Sequence, residues 1–262
     1  MTCPVCSHPM RHCFNATVLN KYQAVYEQCD ACAYLRVRDP FWLEEAYGQA
    51  IAASDTGLVM RNVAMALKLS SVLFLLLKER GDGRYLDIAG GHGLLTRLMR
   101  DFGFDFYWSD PYCKNLLADG FDRSPDTGPY SAVTAIEVLE HVTNPLDFVE
   151  QSLAEAATDT FIFTTVLYEG EPPPPSWWYY AFQTGQHIGF FQRQTLVILG
   201  QKLGLSLLSA NGVHILTRRP LSPTLYAMAS HSLVSKVVPW WARHRLGSKT
   251  WPDHVRLLNR IG

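Results

Sequence analysis

The run Tyr85-Leu86-Asp87-Ile88-Ala89-Gly90-Gly91-His92-Gly93 constrains the fold more than any other stretch of the sequence. Its first four residues read as a buried strand, glycines then crowd the next positions, and Leu94, Leu95, Leu98 and Met99 follow at helical spacing. A strand that turns through glycines straight into a helix leaves bare backbone amides at the helix start, where a ligand can approach closely. A second strand over residues 104–108 runs to Asp110, at about the ~20-residue spacing at which a carboxylate accepts hydrogen bonds from ribose hydroxyls. This order predicts an α/β, doubly wound, Rossmann-like sheet that takes an adenosine-type ligand.

The glycine turn narrows the ligand further. It reads Asp87-x-Ala89-x-Gly91-x-Gly93, without the G-x-G-x-x-G of dinucleotide sites and without a P-loop Gly-Lys-Ser/Thr, so pyrophosphate recognition is poorly supported and a nicotinamide oxidoreductase is disfavoured. Downstream, Tyr130 to Val142 is an apolar strand leading into Glu137-Val138-Leu139-Glu140-His141. Together these elements resemble the D-x-G-x-G-x-G signature and the EVLEH element of class I S-adenosylmethionine (SAM) methyltransferases, with Ala89 in place of the first glycine. Alanine suits that position if its φ is negative. The resemblance covers residues 80 to 220. It implies cofactor contacts from backbone at Ala89, Gly90 and Gly91, support of the turn by Asp87, ribose on Asp110, and Ile136 or Glu137 near the adenosine or methionine groups.

Composition agrees with a globular enzyme. At 262 residues, 48% hydrophobic and net charge −1, the chain can bury a full core. Its basic residues are dispersed, so the field that gathers phosphate backbones is missing and no nucleic-acid partner is expected. The start Met1-Thr2-Cys3-Pro4 has no signal-peptide character, and the best apolar run, residues 67–77, is broken by Lys68 and serines and is too short for a transmembrane segment. A soluble cytoplasmic protein is the expectation.

Cys3-x2-Cys6 and Cys29-x2-Cys32 form two thiolate pairs, each spaced so that one tight turn presents two sulfurs to a tetrahedral ion. Four soft ligands favour zinc, and a complete set leaves no open position, so the ion is structural. The spacing disfavours an iron–sulfur cluster, and a reducing compartment disfavours disulfides. Residues 1–40 therefore read as a small zinc ribbon whose folding depends on the metal. A ribbon before this catalytic domain resembles bacterial methyltransferases encoded with sugar and polysaccharide biosynthesis.

Residues 41–80 read as a helical linker and cofactor cap, in which the resemblance places Tyr47 over the methyl centre and Arg61 on the cofactor carboxylate; the alternative for Arg61 is a capping network with Asp55. Residues 81–220 form the SAM-binding catalytic domain, its last strands lying between Leu205 and Thr217. Within it, Pro172 to Pro175 run into Trp177, Trp178, Tyr179 and Tyr180, four aromatics on the ligand edge of the sheet that suit a substrate wall. His187 follows in Gln186-His187-Ile188-Gly189-Phe190-Phe191, which resembles an E-H-x-x-x-F-S segment of sugar C-methyltransferases with glutamine replacing the glutamate. That departure opens oxygen and nitrogen acceptors beside carbon. His187 is the first candidate for general base and His141 the second. Residues 221–262, a helical tail with Trp240, Trp241 and several cations, are expected to pack over the core or to form a homodimer interface, with contact to a membrane surface or a partner as the alternative. The reading is a SAM-dependent methyltransferase acting on a small-molecule or sugar-type acceptor; the alternative is a noncatalytic SAM-binding protein using its ribbon as an interaction module.

Overall fold

A computed structural model describes residues 1–48, 55–77 and 79–261. Residues 51–54 of the linker break and Lys78, the expected end of the linker helix, fall outside these.

The chain opens with a meander of β1 (Met10–Val18), β2 (Tyr22–Cys29) and β3 (Leu35–Arg38), paired antiparallel. Cys3 and Cys6 precede it, while Cys29 and Cys32 flank the turn from β2 to β3, so the two cysteine turns meet at one end of the sheet. A one-turn helix α1 (Leu43–Ala46) and the 19-residue α2 (Leu58–Leu76) follow.

The catalytic sheet is built from β4 (Arg84–Ile88), β5 (Asp105–Ser109), β6 (Ala132–Ala135) and β7 (Thr160–Phe163), all parallel. Between them lie α3 (Leu94–Asp101) and α4 (Pro145–Glu155). Asn144 starts α4 by accepting a hydrogen bond from the Asp147 amide, and Pro145 takes the first turn, where no amide donor is needed. β6 and β7 are buried along their whole length, as expected of central strands covered on both faces. A two-residue strand β8 (Gly189–Phe190) and α5 (Arg193–Lys202) precede β9 (Ser206–Ala210) and β10 (Val213–Thr217). The sheet order is β5-β4-β6-β7-β10-β9, and β10 runs antiparallel to both neighbours. The doubly wound expectation therefore holds, with the last strands where the sequence placed them.

β8 does not join this sheet. It pairs with β3, so the ribbon sheet is completed by a strand from the catalytic region, Leu35 facing Phe190. Around that seam Tyr26, Tyr180, Phe190 and Trp42 pack into one aromatic core, Tyr180 lying edge-on to Tyr26 at 5.5 Å and to Phe190 at 4.9 Å. The four cysteines sit in the same hydrophobic cluster as Val133, Phe161 and Phe191 of the catalytic part. Such rings bury large apolar areas and add pairwise contact energy of about 0.5–1.5 kcal/mol each.

The apolar segment is longer than the run at residues 67–77 suggested: by length and composition alone α2 could cross a bilayer, a test that a core helix also passes. The break at Lys68 does not interrupt the helix, since a single cation at a helix surface extends its stem away from the buried face. In this fold Leu69, Val72 and Leu73 of α2 are buried in a cluster with Leu95, Met99, Phe104 and Phe106.

Three helices close the chain: α6 (Pro223–Ala229), α7 (Val234–Leu246) and α8 (Thr250–Ile261). The last is fixed by a bidentate ion pair, Arg100 Nε and Nη2 donating to Asp253 at 2.8 Å each, while Arg100 Nη1 reaches Asp105 at 2.7 Å. The guanidinium also lies on the Phe121 ring, 3.7 Å from its centroid. A buried fork–fork pair of this kind fixes orientation as well as contributing energy.

Candidate functional site

At the carboxyl end of β4 the chain turns through Ala89, Gly90 and Gly91 into α3, and the geometry corrects one expectation. Ala89 has a φ of 51°, in the left-handed region, rather than the negative value that would make alanine unstrained. At the end of the adjacent strand β6, Glu137 is also left-handed, with φ 55°. Two non-glycine residues held in this region at neighbouring strand ends mark the ligand edge of the sheet as strained. Ile136, just before, packs against the core.

Gly90 must be glycine for packing, since a Cβ there would come within 2.8 Å of the Trp108 ring and 2.9 Å of the Asp87 carboxylate. Gly91 instead faces open space, with nothing within 4 Å of its Cβ position. Trp108, which the sequence reading passed over, anchors the turn by donating from Nε1 to the Gly91 carbonyl at 2.9 Å. Asp87 is buried beneath it, accepting hydrogen bonds from Thr134 at 2.8 Å and Thr96 at 3.3 Å, and burial pushes its carboxyl up to about 7.

Asp110 stands opposite. Its Oδ2 accepts from the Gly91 amide at 2.9 Å, and Oδ1 accepts from the amides of Tyr112 and Cys113 at 2.7 and 2.9 Å. A carboxylate oxygen accepts two hydrogen bonds, so Oδ2 retains one acceptor position. Glu137 is held by Thr164, whose Oγ1 donates to Oε1 at 2.6 Å and accepts from the Glu137 amide at 2.9 Å.

His141 and His187 come together above the end of β6, their rings edge to face with centroids 4.8 Å apart. His187 Nδ1 donates to the Tyr179 carbonyl at 2.7 Å, and His141 Nδ1 lies 3.1 Å from the Gln186 carbonyl and 2.9 Å from the Tyr47 hydroxyl. Because a carbonyl only accepts, each Nδ1 carries the proton and each Nε2 keeps its lone pair. Burial lowers the pKa of both rings, to about 3 for His141, where His187 adds to the effect. Gln186 binds the linker, its Nε2 donating to Ala46 at 2.8 Å, so this residue joins His141 to the segment bearing Tyr47.

Glu140 completes the cluster, one donor atom from each of Glu140, His141 and His187 lying within 4.8 Å of the others. It is wholly buried, and neither carboxylate oxygen has a hydrogen-bond partner among the described residues. Burial, and then Glu137, push its carboxyl up to about 8, an effect that the nearby Tyr179 and Thr165 hydroxyls only soften.

The aromatic quartet does not form one wall, which corrects the sequence reading. Tyr180 is buried in the ribbon seam and Trp177 packs beside it, while Trp178 points to solvent at 73% exposure. Tyr179 alone borders the histidines, its ring 4.6 Å from that of His187. The reason is non-local: Phe14 and Tyr26 of the ribbon and Phe190 of β8 are the partners, and these claim rings that would otherwise face a pocket. Arg61 pairs with Asp55, its Nη2 on Oδ2 at 2.6 Å, but Gly57 is the N-cap of α2 and no side chain caps the helix.

The cysteine sulfurs lie within 4.8 Å of one another, with Cys3 to Cys32 at 3.5 Å and Cys6 to Cys29 at 3.3 Å. A tetrahedron with Zn–S bonds of about 2.3 Å has edges of about 3.8 Å, so the donor set and its spacing fit zinc. All four are buried, as a closed structural site requires.

A largely parallel sheet whose first strand turns through glycines into a helix, with an acid from the next strand on the turn's amide, is the architecture of a nucleoside-cofactor-binding fold. Residues 61–210, more than half of the chain, match the family described as methyltransferase domain, and the chain belongs to that family. A search of curated proteins gives no match. Among solved structures, similar ones include TnmH (16% identity, 68% of this chain and 60% of that one, TM-score 0.47). Others are the mitomycin 7-O-methyltransferase MmcR (18%, 67% and 59%, 0.40) and an O-methyltransferase family protein from Burkholderia thailandensis (12%, 68% and 67%, 0.45). The chain thus spans about three fifths of the length of the first two.

Proposed function

We propose that the protein transfers the methyl group of SAM to a small-molecule or sugar-type acceptor, with the His187–His141 pair removing the acceptor's proton. The observation that carries this reading is the pair itself: two neutral imidazoles with free Nε2 atoms, fixed by backbone carbonyls beside the strained ends of β4 and β6. SAM supplies a methyl on a sulfonium, already a good leaving group, which leaves the protein to align the acceptor and take its proton. Asp110 Oδ2 suits a ribose hydroxyl, the open face at Gly91 suits the adenosyl group, and Glu137 suits the cationic end of the methionine moiety. Tyr47, on His141, closes the acceptor side, and Tyr179 borders it. Arg61 reaches the methionine carboxylate only by leaving Asp55.

In the same reading, residues 1–40 are a zinc ribbon held by Cys3, Cys6, Cys29 and Cys32, residues 41–80 a cap, 81–220 the catalytic domain and 221–262 an accessory tail. The shared β3–β8 pairing supports a ribbon that holds the His187 loop in place through zinc rather than an independent module.

Single-turnover methyl transfer at saturating SAM, run over a panel of hydroxyl, amine and carbon-acid acceptors, tests the proposal. His187→Ala should keep SAM affinity and lose rate by roughly 10²–10⁴-fold, the usual contribution of a positioned general base, and His141→Ala should cost less. Wild-type rates from His187→Ala would remove the base assignment, and a greater loss from His141→Ala would reverse the order.

A further inference from the structure

We propose that the exposed apolar stripes of α7 and α8 dock the protein on an anionic lipid bilayer. α7 carries its bulk on the wrong side for a simple packed helix. Ser235, Pro239 and Ala242 form its buried side, whereas Leu233 and Val237 face outward at 65 and 69% exposure, and Trp240 and Trp241, set edge-on against Phe102 and Phe74, still leave 56 and 58% of their surface exposed. At 100° per residue these four form one stripe, His244 falls within it, and Lys236 and Arg243 lie on one flank with Arg245 on the other. α8 repeats the pattern with Trp251, Val255 and Leu258, spaced four and three residues apart and all exposed.

Charge identifies the occupant. Residues 221–262 hold Lys236, Arg243, Arg245, Lys249, Arg256 and Arg260 against one acid, Asp253, in a chain of net charge −1. Asp253 is spent internally on Arg100 and Arg97, and none of the six cations has a carboxylate within 4.0 Å among the described residues; Arg256 and Arg260 turn onto the Phe121 ring and the Gly120 carbonyl, which leaves Lys236, Arg243, Arg245 and Lys249 for an outside partner. A two-fold dimer through this face would set the same cations against themselves, since an isologous interface is self-complementary. A nucleic acid would satisfy the cations but leave Leu233, Val237 and Leu258 in water. Tryptophans among aliphatics, rimmed by lysine and arginine, suit the headgroup boundary of a membrane, where indoles sit at the interface and cations meet anionic lipid. Arg100–Asp253 locks α8 to the catalytic sheet, so a docked tail would hold the active site at a fixed distance from the surface. An acceptor with a lipid portion would then be presented to the enzyme from the membrane.

Sedimentation with sucrose-loaded vesicles tests this, using phosphatidylcholine alone and phosphatidylcholine with about 30 mol% phosphatidylglycerol. The full-length protein should bind the anionic vesicles at least about tenfold better than the neutral ones, and lose that binding as salt rises. Lys236→Glu/Arg243→Glu/Arg245→Glu should abolish the preference, and Leu233→Glu/Val237→Glu should reduce binding to both, each with SAM affinity unchanged. If the apolar variant fails to fold, the charge variant and the salt series decide. No binding to either vesicle, equal binding by the charge variant, or a micromolar dimer dissociated by Leu233→Glu/Val237→Glu would overturn the proposal.

Discussion

The ring of His187 meets that of His141 edge to face, their planes at 84°, although one follows β6 and the other precedes β8. Beneath them lies Glu140, buried and without a hydrogen-bond partner. The usual order of proton affinities is inverted here, because burial lifts the carboxyl to about 8 while it presses His141 down to about 3. At neutral pH the cluster is therefore a neutral carboxylic acid beside two neutral imidazoles.

This inversion predicts how stability depends on pH. The folded-state pKa of Glu140 is raised, so its contribution is full below the unfolded value of about 4.3 and is lost as pH rises to about 8. His141 acts in the opposite sense: its folded pKa is depressed, so its contribution is present above about 6.5 and is lost as pH falls toward 3. Glu140→Gln removes the first dependence and leaves the second. Thermal melts from pH 5 to 8 should show wild type losing ground to the variant as pH rises, by about 1 kcal/mol or more. A gap between the two that stays constant across this range would contradict the buried, protonated carboxyl.

Ala89 predicts a gain from a single deletion of a methyl group. Its φ of 51° costs alanine about 1 kcal/mol that glycine does not incur, and glycine is the residue this turn takes in the resembling family. Ala89→Gly should raise the denaturant midpoint with an unchanged slope, because the strain relief exceeds the added backbone entropy of the unfolded chain. A lower midpoint would show that the turn is not strained at this position.

The parts of this site that were legible in the sequence are those made by short stretches of chain. Tyr85 to Gly93, Asp110 and the two cysteine pairs declare themselves because a strand, a turn and a helix start follow from neighbouring residues. The pairing of β3 with β8 does not, since Leu35 and Phe190 are brought together by the fold and a two-residue strand has no periodicity to read. For the same reason Tyr180 read as a pocket wall and proved to be core, and nothing in Gln186 announced that its carbonyl would orient His141. The left-handed turn at Ala89 was hidden because alanine there argues for the opposite conformation. Arg100 and Asp253, 153 residues apart, carry no local signal of their pairing at all.

Zinc removal should reach the active site as well as the ribbon. The cysteine cluster, Tyr34 and Phe191 share one core, and β8 two residues after His187 is a strand of the ribbon sheet. The purified protein should carry one zinc per chain, and Cys29→Ser/Cys32→Ser should lose it, lower the melting temperature and weaken methyl transfer together. A metal-free protein with the same melting temperature would leave the four thiols without a structural role.

The most direct measurement is a calorimetric titration of SAM into wild-type protein and into Asp110→Asn. Asparagine keeps only one acceptor oxygen, so it cannot both hold the Tyr112 and Cys113 amides, as Oδ1 does, and supply the oxygen that holds the Gly91 amide and is proposed to receive a ribose hydroxyl. We expect one SAM per chain for wild type, no binding of NAD, and an affinity loss in the variant of about 1.5–3 kcal/mol with the fold intact. Absence of SAM binding by the folded wild-type protein would contradict the account at its centre, and unchanged affinity in Asp110→Asn would move the cofactor away from the β4 edge.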